Sequence, residues 1–279
     1  MTSTQLKKLA EAHNLDLKYV TSWVPPAGKD LRPLIAMPNL PKPIHGRGMQ
    51  PRTILRPSEW DKMRKACYED AGFKCEICGA EVGVDIPKRQ LHAHECFFID
   101  YEEGTAAFIG CFALCALDHL GAIHSGRCLT LWKDKNPLYP TEFLLAGAEK
   151  AFTIISSYNR DHPEWEPLRA YSTFIEYLKH DELREPMLEL IKKYDIKFYQ
   201  EDPKKTAKWS DWRLVFDGKK YPTPYKNEKE WKKAMEEAGK NDTVRIYGAK
   251  KKKFTSLDDV EITEKHLKEI EKAEVPEGF

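Results

Sequence analysis

Between residues 75 and 127 the chain collects five of its seven cysteines and four histidines. Cys75 and Cys78 stand in KCEICG, two thiols closed by Gly79, a turn that aims both sulfurs at one ion. A tetrahedral site needs a second pair of ligands downstream, and Cys115 opens it. Three residues compete for the fourth place. Asp118 lies three residues past Cys115, and His119 lies four past it, on one helical face and the better zinc ligand by type. Cys111, four residues before Cys115, is the third. Between the two halves runs LHAHECFFID (91–100), whose β-favouring residues predict a strand. On a strand His92 and His94 share a face, which suits His92 as a metal ligand, and Glu95 points the other way to orient a neighbour. His124 follows His119 by five residues.

These side chains need a frame. Ser58 predicts the N-cap of a helix whose buried face is Trp60, Met63, Cys67 and Ala71, and Gly72 ends it directly before the knuckle. Residues 3–13 predict one short amphipathic helix. Prolines at 25, 26, 33, 38, 41, 43, 51 and 57 predict an extended segment laid over other elements. Its second half carries Lys42, Arg47, Arg52 and Arg56 with no acid among them, which suits an arm that touches phosphates; a solvated wrap-around arm is the alternative. Helices are expected at 140–159, 165–180 and 183–194. Beyond them come a strand RLVF (213–216), a DG turn, a helix 228–239, a strand TVRIY (243–247), the run Lys250–Lys253 and a helix 263–273. The chain therefore divides into an N-terminal helix and basic arm (1–56), a zinc core (57–135), a helical segment (136–204) and a small α+β appendage (205–279).

With 279 residues, 41% hydrophobic and 11% aromatic, the sequence is that of a globular protein. The net charge is only +1, so a nucleic-acid surface must come from local clustering. No apolar run reaches the length of a membrane span and no signal-peptide core opens the chain. An odd number of cysteines with a C-x-x-C pair fits metal binding in a reducing compartment, so a cytoplasmic location is expected.

The order of knuckle, hairpin and ligand-bearing helix over about residues 57–130 resembles the HNH endonucleases, the treble-clef or ββα-metal nucleases of bacteria and phages. The run W-x-x-M-R-K-x-C-Y-x-x-A-G-F-K-C-E-I-C-G (60–79) carries the same likeness. The resemblance implies an α+β fold with a treble-clef ββα-metal core, flanking helices and an appendage. It implies structural Zn²⁺ at Cys75, Cys78, Cys115 and Asp118 or His119, and hydrolysis of nucleic acid, DNA before RNA, with Mg²⁺ or Mn²⁺. His94 matches the family's general base, and His119 and His124 its metal-binding histidines. Three departures accompany it: no Asn lies between Cys78 and Cys128, position 93 is Ala, and His119 and His124 are five apart where four is expected. They support an alternative, a zinc module without activity that binds nucleic acid or protein.

Overall fold

The structure is a computed structural model, and it describes residues 2–26, 28–45, 50–85 and 91–242. It is a mixed α and β protein. In chain order the elements are α1 (Ser3–Ala12), β1 (Leu17–Val20), β2 (Ser22–Trp23), α2 (Pro51–Ile54), α3 (Pro57–Asp70), β3 (Leu91–Asp100) and β4 (Thr105–Cys115). There follow α4 (Ser125–Lys133), α5 (Thr141–Asp161), β5 (Ala170–Tyr171), α6 (Asp181–Lys193), β6 (Phe198–Glu201), β7 (Arg213–Phe216), β8 (Lys219–Pro222) and α7 (Glu228–Asp242). Residues Met1–Met235 form one compact unit; of the second, Glu236–Phe279, only the last turns of α7 are described. The strand at 243–247, the run Lys250–Lys253 and the helix at 263–273 lie outside the described residues, as do Gly46, Arg47 and Gly48.

The long antiparallel pair β3–β4 is the centre of a five-stranded sheet of order β2-β3-β4-β7-β8. Strand β7 joins β4 in parallel, and the DG turn, with Asp217 and Gly218 both at positive φ, folds β8 back onto β7. Residues 205–222 thus extend the central sheet within the first unit. The loop between β3 and β4 requires Gly104: its φ is +69°, and a Cβ there would come within 2.7 Å of Ala207 Cβ. A second, parallel sheet of order β1-β6-β5 lies beside a core built on α5, whose Leu144, Ala148, Ala151, Phe152 and Ile155 are buried.

Three expectations change. The Pro-rich segment is neither solvated nor extended throughout. It winds into 3₁₀ turns at Arg32–Ala36 and Lys42–Ile44, and Leu34 and Ile44 are fully buried, because the apolar residues between the prolines complete the core around α5. Helix α3 starts at Pro57 rather than after Ser58: proline occupies its first position and Glu59 reaches back to the backbone N–H of Arg56 at 2.9 Å. No helix spans 165–180. Pro167 would interrupt it, the Asn159 side chain holds both backbone groups of Leu168, and the chain passes through β5 into a 3₁₀ helix, Ser172–Lys179. Among the described residues no helix is long and apolar enough to cross a membrane.

Candidate metal centre

Local backbone bonds build the first cluster. Gly79, at φ +74°, donates its N–H to Cys75 O at 2.7 Å, and Cys75 N–H donates to Ala80 O at 2.8 Å, which closes the knuckle. Glu76 then stitches the knuckle to β4: its N–H donates to Ala113 O (2.9 Å) and its carboxylate accepts from Ala113 N–H (2.6 Å). Cys115, at the end of β4 opposite Leu91, is thereby brought to the turn. Cys78 Sγ lies 3.9 Å from Cys115 Sγ, Cys75 Sγ donates to Asp118 Oδ2 at 3.1 Å, and the Asp118 N–H meets Cys115 Sγ at 3.5 Å. One ligand atom from each of Cys75, Cys78, Cys115 and Asp118 lies within 4.8 Å of every other, so the four could hold a metal ion.

Among the three candidates for the fourth place, Asp118 is the residue that joins the sulfurs. Cys111 sits opposite Glu95 on β4 and packs with Cys67, Leu91 and Ala113, and His119 turns to the second cluster. The crowding shifts the protonation of each group. Hydrogen bonds from Cys115 and Cys75 pull Cys78 far down, whereas Cys75 is driven up by its bonds to Cys115 and Cys78 and by burial. Burial, then the neighbouring Cys78, raises Asp118 to about 6, and its Oδ1 is buried with no partner among the described residues. Lys150 on α5 is a nearby cation. Burial works against its charge, but Asp118 and Cys78 outweigh that and raise it.

The second cluster is made of imidazoles. His94 on β3 and His119 and His124 beyond β4 each bring one ring nitrogen within 4.8 Å of the others. The five-residue spacing works because Leu117–Ile123 is a π-helix, closed by His124 N–H donating to His119 O at 3.0 Å. In that winding residues i and i+5 share a face, as i and i+4 do in an α-helix. Gly121 lets the backbone of the π-helix meet Gly147 of α5 directly. His92 stays at the edge, its ring stacked on that of His119 at 4.9 Å. Within the cluster, His94 is 5.0 Å from His119 and 5.1 Å from His124, ring centre to ring centre.

Burial holds these imidazoles neutral. It drives His94 and His119 well down, and with the charge of Arg127 it lowers His124 to about 3; His92 is lowered by burial alone. His94 Nε2 and His119 Nδ1 are buried and unpaired among the described residues. Buried ring nitrogens seldom go unpartnered, and neutral imidazole nitrogen is a metal ligand. Orphaned nitrogens on converging rings therefore fit a bound cation.

The surroundings include residues that no local motif marks as neighbours of the two clusters. His124 Nδ1 donates to Asn39 Oδ1 at 3.0 Å, which fixes the tautomer that presents Nε2. Glu95 is buried on the opposite face of β3 from His94, as alternation requires, and Arg52 grips it: Nε donates to Oε1 at 3.2 Å and Nη2 to Oε2. The Arg52 guanidinium is thus engaged by protein and also lies 5.9 Å over the Trp60 ring. Arg56 is exposed, and Arg127, also exposed, bears on both His124 and His45. His45 is itself tied down by Trp231, whose indole N–H donates to its carbonyl at 2.6 Å. Asn39, His45 and Lys150 lie far from the motif in sequence, and only the packing of the Pro-rich segment and α5 brings them in.

Comparison with protein-family models, curated proteins and solved structures gives no match. The two clusters therefore carry the functional reading by their geometry.

Proposed function

We propose that this chain is a metal-dependent endonuclease of HNH type, a phosphodiester hydrolase with a structural zinc. The observation that carries the reading is the convergence of His94, His119 and His124 beside the thiolate cluster, with two buried ring nitrogens unpaired. In this reading β3, β4 and the π-helix are the ββα-metal unit, and the knuckle makes it a treble clef. Three sulfurs and a carboxylate suit Zn²⁺, and Lys150 offsets part of the site's negative charge. Three imidazoles suit a first-row transition ion such as Mn²⁺ better than Mg²⁺, which prefers oxygen ligands. When bound, such an ion supplies positive charge against the phosphate and the leaving oxygen.

The remaining roles fall to the chain's own side chains. The base role that the resemblance gives to His94 moves to His92, because His94 groups with the ligand histidines. His92 lies outside that trio, half-buried and stacked on His119, and its neutral ring can take a proton from an attacking water. Asn39 stands as the amide beside the histidines that the motif itself lacks, and it orients His124. Glu95 and Arg52 brace the far face of β3. Contact with phosphates then rests on Arg47, Arg56 and Arg127 rather than on Arg52.

The test is cleavage of supercoiled plasmid and of RNA by the full chain with Mn²⁺, wild type beside His92→Ala. Turnover should fall roughly a hundredfold or more while the metal content stays unchanged. Equal cleavage by the two proteins would remove His92 from the chemistry. A wild type that cuts nothing with any divalent ion would favour a zinc module that only binds.

A further inference from the structure

Charge is spread unevenly along the chain. Residues 204–229 carry eight lysines and arginines against three acids, a net charge of +5, whereas the whole chain carries +1. Lys204, Lys205 and Lys208 stand on the loop before β7, Lys219 and Lys220 on β8, and Lys226 and Lys229 at the entry to α7; all seven are exposed. The acids do not neutralise them. Glu228 is taken by Lys42 at 2.8 Å and by Lys232 at 3.4 Å, Asp211 accepts from the Ser210 hydroxyl, and Asp217 stands in the DG turn. Among the described residues none of the seven lysines is in an ion pair. Like charges left unpaired repel one another, and a polyanion relieves that repulsion.

The fold gathers the three stretches. Strands β7 and β8 form one hairpin at the edge of the central sheet. At its base Thr223 N–H donates to Trp212 O at 3.1 Å, and the Thr223 hydroxyl donates to Pro43 O. Thr206, Ala207 and Trp209 of the loop, Lys42 and Pro43, and Glu228 of α7 line one cavity, so Lys205, Lys208 and Lys229, each next in sequence to a lining residue, flank it. The same surface adjoins the histidine cluster. Trp231 of α7 donates to the His45 carbonyl at 2.6 Å, and Asn39, which also lines the cavity, holds His124.

The company these lysines keep selects the partner. Protein interfaces are depleted in lysine and built around apolar and aromatic anchors. Stable anchoring on a membrane takes apolar insertion or a lipid chain beside the basic residues. The large hydrophobic residues exposed among the described residues are Val24, Phe73, Val84, Ile109, Leu138 and Trp165, and none falls within 204–229. A nucleic-acid backbone asks only for cations at its phosphates.

We propose that the loop 204–208, the β7–β8 hairpin and the entry to α7 form the surface on which the phosphate backbone of a nucleic acid lies. The proposal rests on the nuclease reading for the cut, and adds to it the surface that brings the backbone to the histidines.

The experiment titrates the full-length protein, without added divalent ion, into labelled duplex DNA, with single-stranded DNA, RNA and anionic phospholipid vesicles as parallel arms. Wild type should bind nucleic acid with an affinity that falls steeply between about 50 and 200 mM salt. The variant Lys205→Gln/Lys208→Gln/Lys229→Gln should flatten the slope of log affinity against log salt by roughly two to three units, at about 0.9 per phosphate contact on a duplex, and lower affinity at least tenfold. Its melting temperature should hold, because the substituted side chains are exposed and unpaired. The control Lys8→Gln/Lys179→Gln/Lys192→Gln makes the same change of charge at exposed lysines elsewhere and should leave slope and affinity near wild type.

Binding of RNA or of single strands in place of duplex, weakened by the same triple variant, supports the surface and identifies its strand. An unchanged slope in that variant, an equal loss in the control, or wild-type binding confined to the vesicles overturns the proposal. Failure of the nuclease reading is separate. A wild type that cuts nothing but binds with a lysine-dependent slope keeps the surface and loses the hydrolase. Cleavage by wild type with undiminished binding in the triple variant keeps the hydrolase and loses the surface.

Discussion

Gly147→Ala should damage the histidine cluster from the far side of the helix that carries it. Gly147 lies inside α5, an α-helix, where alanine is intrinsically better than glycine by about 1 kcal/mol. Propensity alone therefore predicts a stabilised protein. Packing predicts the opposite. A Cβ at position 147 would lie 2.4 Å from the carbonyl carbon, 2.5 Å from the oxygen and 2.6 Å from the Cα of Gly121. Ordinary contacts of a Cβ begin at 3.4 Å, so the two backbones must part by about 1 Å. No side chain can turn aside, because both partners at the contact are glycine backbone. Overpacking of this kind costs typically about 1–3 kcal/mol, and a backbone-to-backbone clash belongs at the upper end. Net of propensity, we expect a loss of about 1–2 kcal/mol, or roughly 2–8 °C in Tm for a unit of this size.

The functional effect should exceed the stability effect. Gly121 sits between His119 and His124 in the π-helix, so a shift there moves both rings relative to His94 on β3. A misplacement of about 1 Å can cost on the order of a hundredfold in turnover. The assays are thermal denaturation and a Mn²⁺ titration with the thiolate site filled. Gly110→Ala, where a Cβ meets nothing within 4 Å, is the control and should change neither. A Gly147→Ala protein as stable as wild type, with unaltered Mn²⁺ affinity, would refute the direct backbone contact and the positioning drawn from it.

Further outcomes follow from the two clusters. Removing the proposed zinc, by chelation or by Cys75→Ser, should unfold the region around the knuckle, since binding energy at such a site is folding energy; calorimetry would show a lowered and broadened transition. Asn39→Ala should weaken Mn²⁺ binding by roughly 10–100-fold without changing zinc content, read by titration and elemental analysis. Arg52→Met leaves the carboxylate of Glu95, only 5% exposed, without its guanidinium, and should cost roughly 1–3 kcal/mol in denaturant unfolding. Arg52→Met with Glu95→Gln should recover part of that loss, because both charges are then gone.

How far the sequence led can be judged from particular residues. The knuckle was legible because a C-x-x-C-G turn is local chemistry, and β3 was legible because its residue types favour a strand. The two candidate ligand sets were legible only in part. Choosing between Asp118 and His119 depends on how the chain winds after Cys115, and a spacing argument based on an α-helix places His119 on the face of Cys115. The π-helix turns His119 away and aligns it with His124, and the direct contact between Gly121 and Gly147 accompanies that winding. Asn39 and Lys150 could not be read at all, since nothing local marks them as neighbours of His124 and Asp118. Arg52 reads as a free cation in an arm without acids, and its true partner, Glu95, lies 43 residues away. Prolines suggested a surface segment, but the apolar residues between them decide its burial.

The central claim is that His94, His119 and His124 hold a metal ion on which phosphodiester cleavage depends. The most direct measurement counts Mn²⁺ bound per chain, with the thiolate site filled by zinc, in wild type and in His119→Ala, and assays plasmid cleavage on the same samples. Wild type should bind about one Mn²⁺ at the imidazoles and cleave, whereas His119→Ala should bind none there, retain its zinc and fail to cleave. Cleavage by His119→Ala at the wild-type rate, or unchanged Mn²⁺ binding after the substitution, would contradict the account.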